Sequence, residues 1–105
     1  MVSFLCNQKG TVMTSYVVTY DLNGDEDSSA YKPLINEIKR LGGHKYQFSA
    51  WLINVSNTAE ELHDHLKKLM DKDDSLWVSE MVKNRHCSGA KAGTNNWIKE
   101  NPASR

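Results

Sequence analysis

Residues 44–55 read HKYQFSAWLINV, and the fold turns on how this stretch divides. Its aromatic and β-branched residues make it extended, and it is long enough for two short strands with a break near Ser49 or Ala50. In the second of these, Trp51, Ile53 and Val55 share a face. Working outward, SYVVTYDL at 15–22 is a strand on the same grounds, with Tyr16, Val18, Tyr20 and Leu22 on one face and Val17, Thr19 and Asp21 on the other. The polar loop NGDEDSS at 23–29 follows. Tyr31, Leu34, Ile35, Ile38 and Leu41 then recur at helical spacing until Gly42 and Gly43 stop the helix. Pro33 falls in its first turn, where a missing N–H costs little. On the far side, Thr58 and Glu61 form a capping box, and Ala59, Leu62, Leu66 and Leu69 make the stripe of a second helix ending near Met70. The charged loop DKDD leads into a last strand, LWVSEMV at 76–82.

Strand, helix, two strands, helix, strand is an order that suits an antiparallel sheet with both helices on one face. The expected class is therefore α+β, a ferredoxin-like βαββαβ sandwich over residues 13–82. Val17, Val18, Leu34, Ile38, Leu41, Leu52, Leu62, Leu66, Leu69 and Val78 are its expected core. Residues 1–12 are expected to be a peripheral extension. Residues 83–105 read as a basic tail in which Thr94 caps a short helix, 94–100, anchored by Trp97 on the sheet of its own or a partner chain.

The 105 residues suit one domain, and 39% hydrophobic with 25% charged residues is ordinary for a globular chain. No apolar run nears the roughly 18 residues of a membrane span, so no membrane association is expected. The first twelve residues lack the basic start and apolar stretch of a secretory signal, and the two cysteines, Cys6 and Cys87, stand far apart. A reducing cytoplasm is the expected compartment. The zero net charge hides an asymmetry: 8 basic and 12 acidic residues up to 82, then 5 basic and 1 acidic. A neutral surface does not bind nucleic acid indiscriminately, because such binding draws on many Lys and Arg contacts to phosphate.

The strand ending in Tyr20-Asp21-Leu22, QFSAWLINV at 47–55, the helix after Thr58-Ala59-Glu60-Glu61, the strand after Asp73-Asp74-Ser75 and the ending Asn96-Trp97-Ile98-Lys99-Glu100-Asn101 together resemble the SinR-like family. Their order and spacing carry the likeness over residues 14–82. That family is grouped with the small CRISPR-associated ferredoxin-like proteins that partner the spacer-integrating enzyme, and more distantly with VapD-type ribonucleases. The resemblance implies a homodimer. For the CRISPR-associated relatives it also implies Mg²⁺ or Mn²⁺ near the two-fold axis, held by the Asp that closes the first strand, here Asp21. Two departures stand out: an acidic loop follows Asp21 where many CRISPR-associated members place an Arg, and 89–93 lacks the aromatics common in SinR-like tails.

One carboxylate binds Mg²⁺ weakly, but two related by a dimer axis can share it with several waters. Asp21 is accordingly the candidate metal ligand and catalytic residue of a metal-dependent endonuclease acting on RNA or DNA. The rival reading makes Asp21 a turn residue bonding nearby backbone, in a non-catalytic dimeric adaptor that recruits a protein partner. Asp21, Asn23, Asp25 and Asp27 alternate as in a calcium loop, yet Glu26 stands where the sharp turn needs Gly and Lys32 where the bidentate Glu belongs. A solvated acidic loop before a helix N-terminus accounts for the same residues. His63 and His65 lie two apart on a helix and point away from each other. Lys83, Arg85, Lys91 and Lys99, with Trp97 among them, are the candidate nucleic-acid or partner surface.

Overall fold

The computed structural model describes residues 12–105, so the placement expected for 1–12 falls, apart from Val12, outside the described residues. Four strands, β1 (Thr14–Asp21), β2 (His44–Gln47), β3 (Ala50–Val55) and β4 (Ser75–Glu80), form one antiparallel sheet in the order β2-β3-β1-β4. Helix α1 (Lys32–Arg40) connects β1 to β2, and α2 (Ala59–Lys67) connects β3 to β4. Each helix thus carries the chain past a neighbouring strand, which is the ferredoxin-like βαββαβ arrangement. A third helix, α3 (Thr94–Glu100), lies in the tail. No helix among the described residues is long and apolar enough to cross a membrane.

The division of 44–55 falls at Phe48 and Ser49, with Ser49 in the left-handed region at φ 59°. One face of the sheet carries Tyr16, Val18, Tyr20, Trp51, Ile53 and Val55, and on it pack Leu34, Ile38 and Leu41 from the first helical segment and Leu62 and Leu66 from α2. Leu69 and Val78 reach this cluster only half-buried, and Val17 lies on the opposite face. Leu41 caps α1, and Gly42 follows at φ 78°. Gly42 N–H donates to Lys39 O at 3.0 Å and Gly43 N–H to Ile38 O at 2.9 Å, the paired bonds of a Schellman stop. The Thr58–Glu61 capping box forms in both directions, at 3.1 and 3.0 Å.

The opposite face is covered by the tail. Leu52, Met81 and Ala103 form a second cluster there, joined by Val17, Tyr46, Trp97 and Ile98. Trp97 Nε1–H donates to Gly42 O at 3.2 Å, and Lys91 N–H donates to Tyr46 O of the edge strand β2 at 2.9 Å. Ser15 Oγ donates to Asn101 O at 2.7 Å while accepting from Asn54 Nδ2 at 2.9 Å, which fixes the end of α3 over β1 and β3. With both faces covered, every residue of β3 is buried.

Several boundaries differ from the sequence reading, beginning with β1, which runs Thr14–Asp21 where 15–22 was expected. Helix α2 ends at Lys67, leaving Leu69 and Met70 in a following turn. The last strand ends at Glu80, with Met81 N–H making one further bond to Ser15 O at 2.8 Å. Thr94 does not cap α3. The cap is Gly93 at φ 89°, and Thr94 is the first helical residue. The Thr94 hydroxyl donates backwards to Lys91 O at 2.7 Å, so His44 Nε2, 2.7 Å away, must be the donor of their shared bond.

Candidate metal and nucleic-acid site

Asp21 closes β1 opposite Ser75 of β4, on the sheet face turned away from α1 and α2. It is exposed, and its carboxylate has no hydrogen bond or ion pair to another described residue. The chain immediately beyond it is held from below by Asp74, which is 5% exposed. Asp74 Oδ1 accepts from Asn23 N–H at 2.6 Å and the Tyr31 hydroxyl at 3.0 Å, and Oδ2 from Asp71 N–H at 2.7 Å. Burial pushes the Asp74 carboxyl up, but these donors together with nearby Lys67 outweigh it and hold the group below its ordinary range. The ammonium of Lys67 also donates to Asp74 O, tying the loop to α2.

The acidic loop after Asp21 is not solvated throughout. Asp25 Oδ1 accepts from Asp27 N–H at 3.0 Å, a local turn, whereas Glu26 is turned inward at 8% exposure. Its Oε1 pairs with Lys45 Nζ at 2.5 Å, and its Oε2 is buried with no partner. The Lys45 ammonium lies 5.3 Å from the ring centre of Phe48 and 5.7 Å from that of Trp51. Trp51 Nε1–H donates to Tyr20 Oη at 2.9 Å, and burial, reinforced by Glu26, pushes the Tyr20 phenol well up.

No three His, Cys, Asp or Glu among the described residues are grouped to hold a metal. His63 pairs with Asp64 at 2.9 Å and His65 with Glu37 at 2.6 Å, so the two histidines serve different partners. Cys87 is exposed, and Cys6 lies outside the described residues.

The basic side chains of the tail, Lys83, Arg85, Lys91 and Lys99, are all exposed. Arg85 donates to Val82 O at 3.0 Å and lines a cavity with Tyr46, Leu52 and Ile98, Lys91 lines a separate polar cavity over residues 87–96, and Lys99 sits in the last turn of α3. Lys83 extends from the stretch whose backbone pairs with Arg105 at 2.6 Å. Trp97 is half-buried in the second cluster, an anchor of α3. A groove elsewhere is lined by Lys32, Asn36 and Lys39 of α1 and by Lys45 of β2, with Glu26 and Asp27 also on its wall. Spacings of four and three along one helix were the available signal for that row.

A family model described as CRISPR associated protein Cas2 matches residues 13–86. The match takes in all four strands, α1, α2, Asp21 and Asp74, and stops short of α3. Together with the strand order and the lone carboxylate at the end of β1, this extends the resemblance to CRISPR-associated proteins across most of the chain, and the chain belongs to the Cas2 family of CRISPR-associated proteins.

Proposed function

We propose that the chain acts as a homodimer that binds nucleic acid and cleaves phosphodiester bonds of RNA or DNA, with Mg²⁺ or Mn²⁺ shared between two Asp21 carboxylates. The observation carrying this reading is that Asp21, exposed and without a side-chain partner among the described residues, stands at the strand end that the buried Asp74 network braces. One carboxylate from each chain, completed by water, matches what Mg²⁺ accepts. A divalent cation there supplies charge against a phosphoryl oxygen and lowers the pKa of water. Asp74 acts through the backbone of Asn23, as a positioning residue, and touches no substrate. Helix α3, with Trp97 docked on the sheet, supports placing the chain among SinR-like members. A cytoplasmic setting suits this function.

A second reading rests on Trp77, which is 67% exposed on the edge strand β4. So large an apolar side chain on an open edge suits a docked protein, as in a non-catalytic adaptor. The test compares purified wild type with Asp21→Asn. We expect wild type to sediment as a dimer, to melt higher in Mn²⁺, and to cleave labelled RNA or DNA only with metal, and the variant to lose the metal shift and the cleavage while keeping its fold. Unchanged cleavage by Asp21→Asn would sink the assignment. A dimer with neither response to metal nor cleavage favours the adaptor.

A further inference from the structure

We propose that Asn23-Gly24, in the bend that follows β1, is a self-modifying site, where the Asn23 side chain cyclises onto the Gly24 nitrogen and is converted to aspartate and isoaspartate. It stands apart from the Asp21 reading, and it places a new carboxylate two residues beyond Asp21.

Asn23-Gly24 is the sole Asn-Gly pair in the sequence. Both residues are exposed, in a stretch that belongs to no strand or helix. The main chain of Asn23 is anchored, its N–H donating to Asp74 Oδ1 at 2.6 Å, whereas its side-chain amide and the Gly24 N–H bond to no other described residue. The two groups that must meet, Asn23 Cγ and Gly24 N, are thus the ones that the fold leaves unengaged. Glycine helps twice, since no Cβ hinders the approach of its nitrogen and its backbone adopts the ring geometry at low cost. Other asparagines lack these conditions. Asn54 is buried, donates from Nδ2 to Ser15 Oγ at 2.9 Å and precedes the branched Val55. Asn101 donates from Nδ2 to Trp97 O at 2.9 Å and precedes Pro102, which has no N–H to give up.

The deprotonated Gly24 nitrogen attacks Asn23 Cγ, a C–N bond closes a succinimide ring, and the Cγ–Nδ2 bond breaks. Nδ2 leaves as ammonia, taking up a proton equivalent to the one that Gly24 lost. Water then opens the ring at either carbonyl. Addition at Cγ gives aspartate in an unaltered chain, and addition at the main-chain carbonyl gives isoaspartate, whose chain runs through Cβ and Cγ and is one methylene longer. One water is consumed and one ammonia released, with no oxidation or reduction. Either product is ionised at neutral pH and adds a negative charge to a segment that already holds Asp21, Asp25, Glu26 and Asp27. The end of β1 then attracts cations and repels anions more strongly. Isoaspartate also lengthens the path between two anchors on one carboxylate, the Asn23 N–H and the Tyr31 hydroxyl, both bonded to Asp74 Oδ1.

The full chain, aged in mildly alkaline heavy-oxygen water beside a synthetic peptide of residues 20–27, tests this by peptide mapping and isoaspartate-specific carboxyl methylation. Labelled oxygen should accumulate at residue 23 as both isomers, and not at Asn54 or Asn101. The rate should fall within about tenfold of that of the peptide, a factor of about 1.4 kcal/mol, because exposed loops open at close to zero free energy. Gly24→Ala should slow the conversion without moving the melting temperature, since its Cβ would meet Tyr31 Cε2 at an ordinary 3.5 Å and Gly24 is not among the glycines at positive φ. Conversion more than about tenfold slower than in the peptide overturns the proposal. Aspartate formed without isoaspartate does so too, because it bypasses the ring, as does Gly24→Ala converting as fast as wild type. None of these results bears on metal binding at Asp21.

Discussion

At the scale of single residues, Asp74 does more than its position in a charged loop suggests. Its two oxygens accept three hydrogen bonds from Asn23, Asp71 and Tyr31. Asp74→Ala strands those donors beneath the end of β1, and we expect a loss of about 1–3 kcal/mol or more, seen as a lower urea midpoint at unchanged slope. Nothing in DKDD distinguishes Asp74 from Asp71 or Asp73, because two of its three donors, on Asn23 and Tyr31, lie 51 and 43 positions upstream and reach it only once the chain is folded. The place of Asp21 near the end of the first strand, by contrast, was legible, since the β-branched and aromatic run stops there, while its metal role came from the family resemblance. Glu37 makes a second residue-scale prediction. The Arg40 guanidinium, at 2.7 Å, and the His65 ring, at 2.6 Å, hold its carboxyl down at about 2. A depressed folded-state pKa contributes stability above the ordinary carboxylate range and loses it as pH falls toward 2. Glu37→Gln should cost on the order of 1 kcal/mol at neutral pH, discounted because Arg40 is largely exposed. Its melting temperature should converge on that of wild type between about pH 5 and 2, and parallel curves would refute the assignment.

At the scale of elements, the turn after α1 separates two ways in which a glycine is needed. Gly42 sits at φ 78°, where a side chain is disfavoured by about 1–2 kcal/mol. A Cβ on Gly43 would instead lie 2.6 Å from Ile38 Cγ2 and 2.8 Å from Ile38 O, and the carbonyl cannot yield without breaking the helix end. Gly43→Ala should therefore cost about 1–3 kcal/mol by overpacking, at least as much as Gly42→Ala, measured by thermal melts of both variants. The sequence marked this stop, the capping box at Thr58 and the break at Ser49, because each is a local device whose partners lie within a few residues. It misplaced the cap of α3 for the opposite reason. Thr94 is a good cap by type, but His44, fifty residues away, claims its hydroxyl, and Gly93 takes the left-handed turn.

At the scale of the whole molecule, periodicity showed one apolar face and the structure has two. Alternation put Tyr16, Val18 and Tyr20 on one face of the first strand and Val17 on the other without saying which the helices cover, and Val17 and Leu52 acquire their cover only when the tail returns across the sheet. The Lys32–Lys39 row was marked only by its helical spacing, since the Lys45 that it faces is brought to α1 by the fold. The burial of all six residues of β3, flanked by β1 and β2, has a consequence for how the molecule opens. Its amide protons reach solvent only when both coverings and both neighbouring strands come away together. In deuterium the β3 amides should be the last to exchange, at the free energy of complete unfolding. Those of α3 should exchange sooner, through detachment of the tail, so one exchange experiment measures the domain and its tail as separate cooperative units.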